Sequence, residues 1–118
     1  MTESLVQTIR RLLDNFQTGY WEQEYIPGDS MSVSRDLGVA CEAAGGRTDA
    51  ELEAALYRDV KTGEELEDCA DPETLEELRK KYLQAEQAEP YSEEAVKDAA
   101  GNLMEEVLSN FNQTGMLW

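Results

Sequence analysis

Apolar residues recur along this chain at spacings of three and four, in blocks closed by glycine, proline or capping residues. Leu5, Ile9, Leu12, Leu13 and Phe16 share one side of a 3.6-residue repeat, with Thr2 as a cap and Gly19 as the stop. Residues 20–34 break this pattern. They contain Pro27-Gly28-Asp29 and then a polar/apolar alternation from Ser30 to Ser34, which predicts a long loop with room for a short strand. Ser34 then serves as the cap of a short helix carrying Leu37, Val39, Ala40, Cys41, Ala43 and Ala44, stopped by Gly45-Gly46.

Thr48-Asp49-Ala50-Glu51 has the form of a capping box, in which threonine and glutamate satisfy each other's free backbone donors. Leu52, Leu56 and Val60 give the helix behind it a buried face, and Lys61-Thr62-Gly63 interrupts it. Asp71-Pro72 supplies another cap, with proline at the first helical position, and Leu75, Leu78, Tyr82 and Ala85 continue at helical spacing. After Pro90-Tyr91-Ser92 comes the longest stripe, Val96, Ala100, Leu103, Val107 and Phe111 joined by Met104 and Leu108, weakened only by Gly101. The pattern predicts an all-α or mostly α fold: one domain over residues 1–118, an irregular bundle of about five helices, with any short strand confined to the 20–34 loop. The first and last helices carry the widest stripes and are the expected core pair.

Composition changes the picture through charge. Acids outnumber bases 26 to 10 in 118 residues, a formal net charge of −16. Such an excess repels phosphate backbones and anionic lipid and favours basic, cationic or neutral partners. Direct nucleic-acid binding is not expected. The first residues, Met1-Thr2-Glu3-Ser4, lack the basic and apolar regions of a signal peptide, and no apolar run approaches the length of a membrane span. A cytoplasmic protein with no membrane contact is the expectation. Cys41 and Cys69 lie far apart and fit no disulfide framework or zinc spacing, and there is no histidine. Both are read as reduced and structural, and no cofactor or metal is expected. Asn112-Gln113-Thr114 has meaning as a glycosylation site only in a secreted chain.

Catalytic arrangements fare no better. Gly28-Asp29-Ser30 has the look of a short esterase motif, but its serine would need a general base that is usually histidine. Neighbouring acids such as Glu64-Glu65 and Glu93-Glu94 point to different sides of a helix. Residues 14–25 have Gly19 at the sixth place of a calcium loop, but Phe16 and Tyr25 stand where oxygen ligands belong. Val39 to Tyr57 has the size of a helix-turn-helix, yet its second helix carries Asp49, Glu51, Glu53 and Asp59 against Arg58 alone. A plain αα-hairpin accounts for the same residues. The chain is therefore not read as an enzyme.

Two features remain. Thr18-Gly19 and Thr114-Gly115 each end a helix just after a phenylalanine and just before a tryptophan; shared helix-stop chemistry explains this, while Tyr20, Trp21, Tyr25 and Trp118 are also the side chains favoured as protein–protein anchors. The charge is also uneven. Residues 48–77 hold twelve acids against Arg58 and Lys61 alone. Glu76 and Glu77 precede Lys80 and Lys81 by four residues and are expected to pair with them, which leaves Glu64, Glu65, Glu67, Asp68, Asp71 and Glu73 unanswered. A second acidic group, Glu86, Glu89, Glu93, Glu94 and Asp98, faces only Lys97.

In size, charge and lack of catalytic residues the chain resembles small acidic proteins, often phage-encoded, that imitate nucleic acid and occupy the basic cleft of restriction, CRISPR or other DNA-binding machines. That resemblance implies an inhibitor or regulator of a basic, nucleic-acid-binding protein, with the acidic cluster and the four aromatic residues as its contact surface. The alternative is an acidic adaptor, chaperone or assembly factor that grips a partner through apolar helix stripes. Either reading leaves a homodimer open.

Overall fold

The structure, a computed structural model of the chain, describes residues 4–17, 30–67 and 69–116, without the side chains of 16–17 and 30–37. Its helices are α1 (Leu5–Gln17), α2 (Ser30–Gly45), α3 (Asp49–Tyr57), α4 (Pro72–Gln87) and α5 (Glu93–Thr114). The described residues hold no strand, only an isolated antiparallel bridge between Arg58 and Glu65. The described residues form the expected all-α bundle of five helices.

The caps explain where the helices begin and end. Thr48 accepts the Glu51 N–H while Glu51 reaches back to the Thr48 N–H, completing the capping box. Asp71 accepts the Thr74 N–H at 2.7 Å ahead of Pro72, and Ser92 accepts the Ala95 N–H. α1 is capped by Ser4 in a reciprocal box, Ser4 Oγ accepting the Gln7 N–H and Gln7 Oε1 accepting the Ser4 N–H. The expected cap Thr2 lies outside the described residues. At the far end Gly115 takes a left-handed conformation, φ 83°, and the Met116 N–H closes back on the Phe111 carbonyl at 2.9 Å. Met116 folds onto the core. Thr114-Gly115 is thus a glycine stop of the predicted kind; Thr18-Gly19 falls outside the described residues.

Two boundaries differ from expectation. Residues 30–34 are the opening turns of α2, neither loop nor strand, and Ser34 lies inside the helix. Five alternating residues cannot separate a period of 2 from one of 3.6, whereas Val33, Leu37, Ala40 and Ala44 recur at four-three-four spacing, a helical stripe. α3 ends at Tyr57, so Val60 is not on its buried face; it is 39% exposed.

All five helices supply one apolar cluster. α5 gives Val96, Ala100, Leu103, Met104, Val107, Leu108 and Phe111, α1 gives Val6, Ile9, Leu12 and Leu13, and α3 gives Leu52 and Leu56. Leu75 and Tyr82 come from α4, Ala40 and Ala44 from α2. α1 and α5 both line this core, but they are not its main pair. α5 packs most extensively on α4, to which the five-residue turn 88–92 ties it, and α1 on α2. The short connection makes α4 and α5 spatial neighbours, which a comparison of stripe widths does not register.

Candidate functional site

The acidic stretch after α3 is folded tightly onto the bundle. Asp59 accepts the backbone N–H groups of Lys61 at 2.8 Å and Thr62 at 2.9 Å, and its own N–H donates to the Glu64 carbonyl at 2.8 Å. The Gly63 N–H returns to the Asp59 carbonyl at 2.7 Å, and Gly63 takes φ 75°, a value that favours glycine. The Leu66 N–H donates to the Tyr57 carbonyl at 3.0 Å, closing a small hairpin-like turn. Thr62 and then Lys61, through their backbone donors, hold the Asp59 carboxyl below its ordinary range.

Two contacts fasten this turn and the linker behind it to α5. The Val60 N–H donates to the Thr114 carbonyl at 2.9 Å. Asn110, fully buried, accepts the Ala70 N–H at 2.9 Å and donates to the Ala70 carbonyl at 3.2 Å. Its amide does for the linker what a paired strand would do. Asn110 went unnoticed in the sequence although a signal was there: it is a polar residue on the stripe of Val107, Phe111 and Thr114.

Between α3 and this linker lies a cavity of about 530 Å³. Ala50, Ala54 and Tyr57 line it from α3 and Leu66, Cys69, Ala70 and Pro72 from the linker side, with Glu53, Glu65, Glu67, Asp71 and one cation, Arg58, around them. The Tyr57 hydroxyl is screened from water and has no hydrogen-bond partner. Burial first, then the nearby carboxylates of Glu53, Glu76 and Asp71, push its pKa up to about 12, so it is a neutral hydroxyl at physiological pH. Hydrogen bonding to Thr74 keeps Asp71 below the usual carboxylate range.

The predicted acidic cluster is therefore divided. Glu65, Glu67 and Asp71 meet at the cavity, while Glu73 lies in a neighbouring shallow cleft with Glu76 and Glu77, and Glu64 is exposed on the turn. Glu65 is answered by Arg58 at 3.3 Å, an exposed pair. Asp68 lies outside the described residues, as do Tyr20, Trp21, Tyr25 and Trp118. Glu53 and Tyr57 were not singled out in the sequence. With Ala50 and Ala54 they make a second stripe on α3, beside the face of Leu52 and Leu56, and its small residues concealed it.

The basic residues mostly serve the fold. Arg10 joins Asp49 at 2.9 Å, the Ala44 carbonyl at 2.7 Å and the Arg47 carbonyl, so that α1 holds the α2–α3 corner. Arg47 donates to the Ala43 carbonyl, and Lys97 pairs with Glu93. Arg79, almost fully buried, pairs with Glu76 at 2.6 Å. The expected Glu76–Lys80 and Glu77–Lys81 pairs do not form; Glu76 turns instead to the forked donor of Arg79, three residues on. Among the described side chains Arg47, Lys61, Lys80 and Lys81 are the cations without an ion pair. Glu53, Glu64, Glu67 and Glu73 remain unpaired and exposed.

No helix among the described residues is long and apolar enough to cross a membrane. Cys41 and Cys69 form no disulfide. The chain matches no protein-family model, no curated protein and no solved structure.

Proposed function

We propose that this protein is a non-enzymatic inhibitor or regulator that binds the basic, nucleic-acid-binding surface of another protein through its own carboxylates, in the manner of a nucleic-acid mimic. The observation that carries this reading is the division of labour among its charges. Most described arginines are committed to internal partners, while Glu53, Glu64, Glu67 and Glu73 stand outward around a turn that is already ordered. A fixed array of like charges costs less to dock than a flexible one, because little ordering entropy remains to be lost.

The apolar adaptor reading draws less support. Val60 and Tyr91 are the large apolar side chains exposed among the described residues, one on the turn and one before α5, and they form no stripe. The stripes of α1 and α5 are spent in the core.

The test is capture of partners by the full chain from lysate at low and at high salt. Carboxylate docking predicts binding that falls steeply as salt rises, with the captured protein itself a nucleic-acid binder that DNA or RNA displaces. Capture that persists unchanged in high salt, or of a partner indifferent to nucleic acid, sinks the reading.

A further inference from the structure

We propose that the cavity between α3 and the 66–72 linker seats one arginine side chain of the basic partner, its aliphatic stem against Ala54, Leu66 and Pro72 and its guanidinium between Glu53 and Glu67. The inference deepens the carboxylate-docking reading and rests on it.

Shape and chemistry point the same way. The cavity, about 530 Å³, falls inside the ~300–1,000 Å³ range of pockets that enclose ligand groups. Apolar walls with unpaired carboxylates around them complement a side chain that is greasy along its stem and charged at its tip. A purely apolar occupant would bring uncompensated acids close to a dry surface, and a small hydrated cation would leave the walls unused. Arginine suits the site better than lysine. Its planar guanidinium is less strongly hydrated, lies flat on an aromatic ring such as that of Tyr57, and offers donors in several directions at once.

The Tyr57 hydroxyl is an independent observation. It belongs to a cavity-lining residue, is screened from water, and has no partner in the free protein. It has neither donor nor acceptor beside it, and a guanidinium seated in the cavity donates to its oxygen. The wall opposite carries Leu66, Glu67 and Cys69 outside any helix, so a small outward displacement of these three admits that contact while Asn110 holds Ala70. The chain's own arginine at the rim does not fill the role, since Arg58 is turned to Glu65 at 3.3 Å and to the Gly63 carbonyl at 3.4 Å.

The experiment is a titration of capped Ala-Arg-Ala peptide into the ¹⁵N-labelled full chain, beside peptides with lysine, citrulline or norleucine at the centre. Saturable shifts at Ala54, Tyr57, Leu66 and Ala70 are expected, with affinity about tenfold lower for uncharged citrulline and weaker still for norleucine. Tyr57→Phe should weaken the arginine peptide severalfold without lowering Tm, because the hydroxyl has no bond to lose in the free fold. Ala54→Trp, which fills the cavity, should abolish the shifts; Glu53→Gln with Glu67→Gln, at exposed positions that fold regardless, should weaken them. Norleucine or lysine binding as well as arginine overturns the assignment. So do shifts that never saturate, spread to Glu64 and Glu73 and survive Ala54→Trp, an outcome that leaves salt-dependent partner capture, and hence the wider reading, standing. Capture that ignores salt while arginine still saturates the cavity removes the wider reading instead.

Discussion

On the α1–α4 side of the bundle, Arg11 donates to both carboxylate oxygens of Glu86 at 2.9 Å and to the Tyr82 hydroxyl at 2.9 Å, with its guanidinium 5.1 Å from the centre of the Tyr82 ring. On the α3–linker side, Glu53, Glu67 and Glu73 face solvent with no ion pair. The same residue type has two fates, and local sequence does not decide between them. Glu86 is answered because a helix distant in sequence delivers an arginine to it. The linker acids receive no such visitor, and what holds their backbone in place is hydrogen bonding to the main chain: the Asn110 amide at Ala70 and the Asp59 carboxylate at Lys61 and Thr62. The neutral Asn110 amide, with one carboxylate given up at Asp59, leaves the outward acids available, where ion pairs would have consumed them.

The sharpest way to break that contrast is to remove the neutral fastening. Asn110→Leu leaves the Ala70 N–H and carbonyl without their partner inside a half-closed site, a loss of about 2–3 kcal/mol. Urea unfolding should show the midpoint falling, and amide exchange should rise first in residues 66–71. A change below ~0.5 kcal/mol would mean that the linker is held by something other than Asn110.

The ionic side should yield less. Arg11→Met removes a forked pair about one-third exposed, with side-chain accessibilities of 33% and 31%, and its cost should be about 1–2 kcal/mol after solvent screening. Arg11→Lys should recover only part of it, since an ammonium cannot serve both Glu86 oxygens and the Tyr82 hydroxyl in the same planar geometry. Equal stability of the lysine variant and the wild-type chain would show that charge alone matters there.

Much of the helical layout was legible because it rests on short-range chemistry. The Thr48 box, the Asp71-Pro72 start, the Pro90-Tyr91-Ser92 break and the Gly115 stop are each settled within about four residues. The opening of α2 was missed because alternation over Ser30–Ser34 outweighed a stripe that becomes clear only when read on to Ala44. The candidate site was half legible. Glu65, Glu67 and Asp71 were singled out by charge, but the cavity they surround depends on Glu53, Tyr57 and the Asn110 pin, and those come together only once α5 has packed behind the linker. The Glu76–Arg79 pair, three residues apart on one helix, was open to the same local count that favoured Lys80; what that count lacked was the burial of Arg79.

A third prediction separates cap from charge at Asp71. Its folded pKa lies below the ordinary 3.8, so between the two values the unfolded chain binds more protons and stability rises with pH. The contribution is fully present above about pH 4 and is lost as pH falls through the folded value; Asp59, lowered in the same way, adds to it. Asp71→Asn keeps an acceptor for the Thr74 N–H and should flatten the acid limb with little change near neutrality, whereas Asp71→Ala should lower Tm at every pH. If both variants behave alike, the carboxylate is not acting as a cap.

The smallest stability effect belongs to the outward acids, and there the contrast predicts a change of sign. Glu64→Gln with Glu73→Gln removes two charges that have no ion pair, from a chain of net charge −16. Relief of self-repulsion should raise stability by no more than ~0.5 kcal/mol at low salt, and the gain should fade as salt shortens the Debye length. Glu86→Gln, the matching change on the ionic side, should instead lower stability, because it strips Arg11 of its charged acceptor. The same Glu64 and Glu73 substitutions should slow association with a basic partner and flatten its salt dependence while the far-ultraviolet circular dichroism stays helical. Measured together, urea midpoints at two salt concentrations and association rates give opposing outcomes for the two sides. If neutralising Glu64 and Glu73 destabilises the fold as much as neutralising Glu86, the outward acids are structural and the division of charge proposed here does not hold.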